Sequence, residues 1–315
     1  LKKNSTNNLR GSTRIMYNAL SQRVPVQIID AEKSLFSYED TKGETHLMFS
    51  TTSDKSSAIG IIIAGNKSKS ATILEHLSIP RPKDRVCNTI IEAIEFLNVY
   101  KKVVVKPTAN SGGKGVSTAV VSVTELRRAY KFAKLYGQKV IVQHHLDGTD
   151  LRLLIVGGKF VSAVSRIPAG ITGDGIRSIA ELIAQENSSE RRNNPANLSL
   201  LHIDKTAAKR YLGGKLQKVP KQDEIVRVVG PANVSLGGEL QEATHLVTSN
   251  MIADAEKITN ALQLGICGVD MIWDQKLGTY GIIEVNATPG IDIHNDPFSG
   301  TSSDAAEKYA DWLIA

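Results

Sequence analysis

Apolar and polar positions follow one another along this chain with two periods. Over residues 12–23 the apolar side chains Ile15, Met16, Ala19 and Leu20 recur at the spacing of one helix face, and a short strand over residues 24–29 follows. The stretch 59–63 is almost continuously apolar and reads as a buried strand, leading through Gly65-Asn66-Lys67 into a helix that ends near Leu77. Ile79-Pro80-Arg81-Pro82 then breaks the pattern, because proline lacks a backbone donor, and marks a first boundary. A second unit over residues 86–142 predicts a helix at 89–98, a strand at 103–106, a glycine loop, a strand at 116–121, a helix at 124–136 and a strand at 140–142. These make a small mixed sheet. A third unit starts with strands at 151–156 and 160–166 around Gly157-Gly158, resumes helical spacing at 251–264 and 304–313, and carries two further strands, one opened by Gly268-Val269-Asp270 and one closed by the stretch 281–290. Strands alternating with helices argue for α/β or α+β layering.

Composition narrows the class without choosing a function. A chain of 315 residues fits two or three packed units, and 41% hydrophobic with 22% charged residues is the balance of an ordinary globular protein. The net charge of +6 and pI near 9.1 suit a polyanionic nucleotide or a nucleic acid equally. Aromatics are only 5%, and no nucleic-acid-binding signature is present, so a nucleic-acid partner is not expected. Cys87 and Cys267 read as packing residues in a reducing compartment. No run reaches the roughly 20 apolar residues of a membrane span, and residues 1–10 are polar and basic rather than signal-like, so a cytoplasmic protein away from membranes is expected. Leu at position 1 leaves a missing N-terminal partner domain open, and the oligomeric state is open too.

The chemistry concentrates in three places. Near the end, Asp270 on one strand and Glu284 and Asn286 on another bring hard oxygen donors together, and residues two apart on a strand share a face, which suits magnesium. Magnesium commonly takes one or two carboxylates plus nucleotide phosphates. Upstream, Lys106 ends an apolar strand, and the loop Ser111-Gly112-Gly113-Lys114-Gly115 returns the chain as another strand. Its glycines let backbone N–H groups approach an anion, although the same loop also reads as a flexible hairpin turn. It is not a Walker loop, because the Lys-Ser/Thr ending and the following helix are missing. Between these, Gln143-His144-His145-Leu146 leads through Asp150 to Arg152 and joins the second unit to the third, where backbone groups can recognise a base. The two histidines are read as solvated hinge residues, since neighbours on an extended chain point apart.

Together these residues resemble the ATP-grasp superfamily: a strand lysine with a glycine hairpin, a linker onto adenine and a closing Asp…Glu-x-Asn set. Arg166-Ile167-Pro168-Ala169, Gly173-Asp174-Gly175, Arg191-Arg192, the segment from Asn233 to Gly238 and the ending from Tyr280 to Gly300 are similar to the ligase domain of cyanophycin synthetase and to the ATP-grasp part of bifunctional glutathione synthetases. The resemblance covers the chain from about Ser12 onward. It implies an α/β (α+β) ATP-grasp fold, with two α+β subdomains gripping ATP behind a small N-terminal α/β domain. The expected divisions are 1–80, 81–142 for the lid and 143–315 for the metal and substrate sites.

The resemblance also implies roles. Lys106 holds the α/β-phosphates, and Ser111, Gly112, Gly113, Lys114 and Gly115 close over the β/γ-phosphates. Gln143 stands where a Glu commonly begins the adenine linker, backbone groups of His145 and Leu146 read adenine, and Asp150 takes the ribose. Arg152 and Arg166 meet the γ-phosphate and the acyl-phosphate, with Asn233 beside them, while Asp270, Glu284 and Asn286 ligate Mg2+, two ions being expected and Mn2+ able to substitute. Ser235, Gly237, Gly238 and His294 frame the substrate pockets. The activity implied is ATP-dependent ligation of a carboxylate to an amine on amino acids or short peptides. The alternative is a regulatory ATP-binding module without turnover. The basic residues Lys205, Lys209, Arg210, Lys215 and Lys218 read as a solvated face before an acidic-peptide site.

Overall fold

The computed structural model describes residues 6–108, 115–193, 202–230, 232, 236–295, 297 and 299–315. Helix α1 (Gly11–Ser21) buries Met16, Ala19 and Leu20 as its spacing predicts. Four strands follow, β1 (Val26–Asp30), β2 (Leu35–Glu39), β3 (Thr45–Phe49) and β4 (Thr52–Ser53), in an antiparallel meander. The apolar run expected as a strand at 59–63 is instead helix α2 (Ala58–Ala64), started by the Ser57 hydroxyl accepting from Gly60 N. Periodicity cannot separate a short buried strand from a buried helix turn; here the cap and the packing of Gly60 decide. A Cβ at Gly60 would lie 1.9 Å from the Leu262 carbonyl oxygen. Helix α3 (Lys67–His76) is capped by Asn66 and ends before the proline segment.

The next sheet contains β5 (Asp84–Cys87), β6 (Val103–Pro107), β7 (Ser117–Val120) and β8 (Val140–His144), with α4 (Ile90–Tyr100) and α5 (Val123–Lys134) between strands. Both helices begin with capping boxes, Thr89 with Glu92 and Ser122 with Glu125. The order is β5-β8-β6-β7 and every neighbouring pair is antiparallel, so the sheet is not the mixed one expected. Strands joined through a helix run parallel but are separated by an inserted strand. The buried face packs Val103, Val105 and Val142 against Phe96, Leu97, Leu126 and Tyr130.

The largest sheet has the order β13-β10-β9-β14-β15. Its strands are β9 (Thr149–Val156), β10 (Lys159–Ile167), β13 (Glu239–Glu242), β14 (Ile266–Asp274) and β15 (Thr279–Asn286), again antiparallel throughout. Between β10 and β13 lie β11 (Gly170–Thr172), α6 (Ile179–Asn187), α7 (Glu190–Asn193), α8 (Lys205–Tyr211) and β12 (Ile225–Arg227), which enclose a small core of their own. Helices α9 (Ser249–Ala261), α10 (Asp292–Asn295) and α11 (Ala305–Ile314) complete the chain.

Strand β9 shows how this sheet is used. Leu151, Leu153 and Ile155 pack with α9 and with Leu74 and Ile79 on one side. Leu154 and Val156 face the other way into a core formed by Met16, Phe36, Tyr38, Met48, Tyr309 and Leu313. Alternation then puts Asp150 and Arg152 on the same side as Leu154. That side is apolar where the first fifty residues and α11 cover it, and charged where they stop.

Candidate active site

On the charged half, β9, β10 and β14 hold four titratable side chains. Arg152↔Asp270 and Asp150↔Arg166 are cross-strand partners, so antiparallel register brings opposite charges face to face. Both Arg152 nitrogens Nε and Nη2 donate to the Asp270 carboxylate, the second at 2.7 Å. Arg166 Nη2 lies 3.0 Å from Asp270 Oδ2 and donates to Asp150 Oδ1 at 2.7 Å, with Nε on the same oxygen at 3.0 Å. Burial works against the charge on Asp270, but the two guanidiniums outweigh it and hold its carboxyl below the usual range. For Asp150 burial wins over Arg166, and its carboxyl is pushed up. Burial also opposes the charge on Arg166, yet Asp270 and Asp150 raise it above the ordinary value. Gly268 makes this packing possible: a Cβ there would sit 3.2 Å from Arg152 Cδ.

His294 lies behind this group, 1% exposed. Its Nδ1 meets Ser162 Oγ at 2.9 Å, and its buried Nε2 has no hydrogen-bond partner. Burial, reinforced by Arg152, lowers its pKa to about 3, so the ring is neutral.

A second cluster sits where the β5–β8 sheet meets β15. Lys106 Nζ donates to Gln143 Oε1 at 2.9 Å, and Lys67 Nζ to Glu284 Oε1 at 2.9 Å. Both pairs, with Arg81 and Asp84, line one small cavity of about 20 Å³. Lys106 is buried, and burial together with the neighbouring Lys67 lowers its pKa to about 8. Two ammonium groups crowded into a cavity form a cradle that a polyanion would relieve.

The expected metal donors are therefore divided between the clusters. Glu284 is opposite Asp270 in register, but the ladder is irregular between Asp270 and Met271, and the carboxylate of Glu284 turns to Lys67. Asn286 Oδ1 accepts from Thr288 N at 2.9 Å. The donor chemistry still fits a hard cation, because the Glu284 and Asn286 oxygens and Asp270 Oδ1 each keep a lone pair beyond the bond they accept, whereas Asp270 Oδ2 is taken by both guanidiniums.

In the linker, His145 N donates to Lys102 O at 3.0 Å, and the Leu146 side chain packs on Gly281, where a Cβ would come within 2.9 Å. The histidines are less solvated than expected: the His144 ring lies 5.0 Å from that of Tyr100, and the His145 side chain is 18% exposed. Gly237 adopts φ +91, and Arg192 Nη1 donates to its carbonyl at 3.1 Å; Gly238 is buried beside it. Gly115 has φ +76 at the start of the return toward β7. Ser111, Gly112, Gly113, Lys114, Asn233 and Ser235 lie outside the described residues. Lys67 is the residue that sequence reasoning missed. A lysine at the first position of α3 opposes the helix dipole, and that unfavourable placement was the available signal. Both cysteines are buried, with burial raising Cys87 to about 11 and Cys267 to about 12, as packing residues should be. Lys205, Lys209, Arg210, Lys215 and Lys218 are exposed.

Comparison with known proteins bears on the same regions. Residues 72–194 match the family described as prokaryotic glutathione synthetase, ATP-grasp domain. The chain is 32% identical to a cyanophycin synthetase of Synechocystis sp. over 84% of its own length and 32% of the relative's. It is 28% identical to the glutathione biosynthesis bifunctional protein of Clostridium perfringens over 96% of its own length and 41% of that protein. A crystal structure of a bifunctional glutathione synthetase from Pasteurella multocida shares the fold, with a TM-score of 0.68 at 23% identity, covering 98% of this chain and 44% of that one. The chain thus spans about a third to two-fifths of the length of the curated relatives it matches.

Proposed function

We infer that this chain, which belongs to the ATP-grasp superfamily, is an ATP-dependent ligase joining a carboxylate to the amine of an amino acid or short peptide. The observation that carries the reading is the crowding of Lys67 and Lys106 in one cavity where the β5–β8 sheet meets β15. Two ammonium groups in one cavity suit the phosphates of a nucleotide, and the guanidinium pair Arg152 and Arg166 on β9 and β10 suits a phosphoryl group in transfer.

In this reading Lys106 and Lys67 hold the nucleotide phosphates, the linker at His145 and Leu146 borders the base, and Asp150 takes the ribose on releasing Arg166. Asp270, Glu284 and Asn286 would hold Mg2+, one ion or two, with Mn2+ as a substitute, and the metal would supply neutralisation of phosphate charge. The substrate carboxylate attacks the γ-phosphorus and the bond to ADP breaks, while Arg152 and Arg166 stabilise the charge on the transferring group. The amine then attacks the acyl carbon, phosphate leaves, the nitrogen gives up a proton, and an amide remains. His294, neutral and buried, keeps positive charge off the site from beneath, and Gly237 and Gly238, both buried, shape the chain beside the substrate. A cytoplasmic setting fits ATP use and two unpaired thiols, and among the described residues no helix is long and apolar enough to cross a membrane.

The test is Mg2+-dependent release of ADP and phosphate from ATP across a panel of amino acids and dipeptides, with products weighed by mass spectrometry. A product one water lighter than its two reactants supports the ligase. Tight ATP binding with no release for any pair would replace it with a nucleotide-binding module.

A further inference from the structure

We propose that a cleft of about 340 Å³ between β7, the end of α5 and helix α8 is the side-chain subsite for the amine substrate and takes an aromatic ring. The assignment to a substrate rests on the ligase reading above. Its walls are Phe132 from α5, Tyr136 just beyond that helix, and Ala207 and Tyr211 from α8. Tyr211 is 47% exposed and Tyr136 38%, so large rings border open concave space instead of filling it. Phe132 and Tyr136 meet edge to face, centroids 5.3 Å apart with an interplanar angle of 80°. The Arg210 guanidinium covers Phe132 at 4.8 Å from its centroid. Such an array presents both ring edges and ring faces to a further aromatic group.

Size and charge narrow the ligand. Ligand pockets run from roughly 300 to 1,000 Å³, and this cleft lies at the small end of that range, which suits one amino-acid side chain better than a whole nucleotide. Asp204, the acid on its wall, spends one carboxylate oxygen capping α8, accepting from Thr206 N at 2.7 Å and Ala207 N at 2.9 Å. Arg210 on the rim disfavours a cationic side chain. A neutral ring is left as the best match.

Position ties the cleft to the reaction. Gly115, at the end of the loop proposed to cover the phosphates, abuts Tyr136 so closely that a Cβ would lie 2.9 Å from the ring. On the other wall Leu236 precedes the proposed substrate glycine Gly237. Gly230 fits under Tyr211, a Cβ there coming 3.1 Å from its ring.

The probe is 4-fluorophenylalanine, followed by 19F line broadening with the whole chain in ADP and Mg2+, alongside steady-state ADP release. Ala207→Trp fills the cleft, and Tyr211→Ala, at an exposed position, removes one wall and serves if the first variant folds poorly. The expected result is broadening in the parent, loss of it in the variants, and a KM for aromatic amines raised about tenfold or more with the KM for ATP unchanged. Absent broadening, or broadening equal in parent and variants, overturns the inference, as does turnover fastest with glycine or aspartate at a KM that neither variant moves. Variant-sensitive broadening without ADP release from any amine would overturn the ligase reading while leaving the ring site standing.

Discussion

At the scale of single residues, the two clusters make different demands. Glu284 lies on the edge strand β15, so Glu284→Ala should leave folding nearly intact and lower turnover by about 10²–10³, as loss of one preorganised electrostatic contact does; Arg166→Ala should lower it as much. Initial rates of ADP release, with thermal unfolding as the control, check both. Lys106 should take up a proton when nucleotide binds near pH 8 to 9, because the phosphates restore a pKa that burial has lowered to about 8. Calorimetry in two buffers of different ionisation enthalpy reads that uptake, and Lys106→Met should abolish it. His294 works in the opposite pH range. Its folded pKa of about 3 lies below the ordinary 6.5, so the unfolded state binds more protons between those values and stability is lost as pH falls below about 6.5. The loss approaches about 1.4 kcal/mol per pH unit, and urea midpoints from pH 7 to 5 should flatten in His294→Gln.

At the scale of elements, several helix starts were legible because their signals are local: Asn66, Thr89, Ser122 and Thr248 each precede the helix they cap, whereas helix α6, capped by Ser178, was not legible. Strand β15 and the pair β6 and β7 were legible from apolar runs with their polar ends. Helix α2 was not, since its apolar residues satisfy either period. Its glycine gives the test: Gly60→Ala would favour an isolated helix, yet here the added methyl meets the Leu262 carbonyl. We expect a net destabilisation of about 1–3 kcal/mol by denaturant unfolding, the usual range for overpacking.

At the scale of the whole molecule, the first fifty residues and the last helix close one core. Phe36, Tyr38 and Met48 share it with Tyr309 and Leu313. A chain starting at residue 54 should therefore lose cooperative thermal unfolding and elute as aggregate in gel filtration, even though the cleft residues are all retained. The β5–β8 sheet keeps its own core and meets the larger sheet at the Lys106 cavity.

Local periodicity and motif spacing were enough to give much of the strand and helix order over residues 89–166 and 251–313, the Asp…Glu-x-Asn ending and the ATP-grasp resemblance, because each depends on residues close in the chain. The partners of those residues depended on the fold. Arg152 meets Asp270 across 118 positions and Lys67 meets Glu284 across 217. Such pairs form only when burial of apolar faces has brought β9 against β14 and α3 against β15. Tertiary structure alone therefore decided which carboxylate faces which cation, and left three aromatic rings around an open cleft.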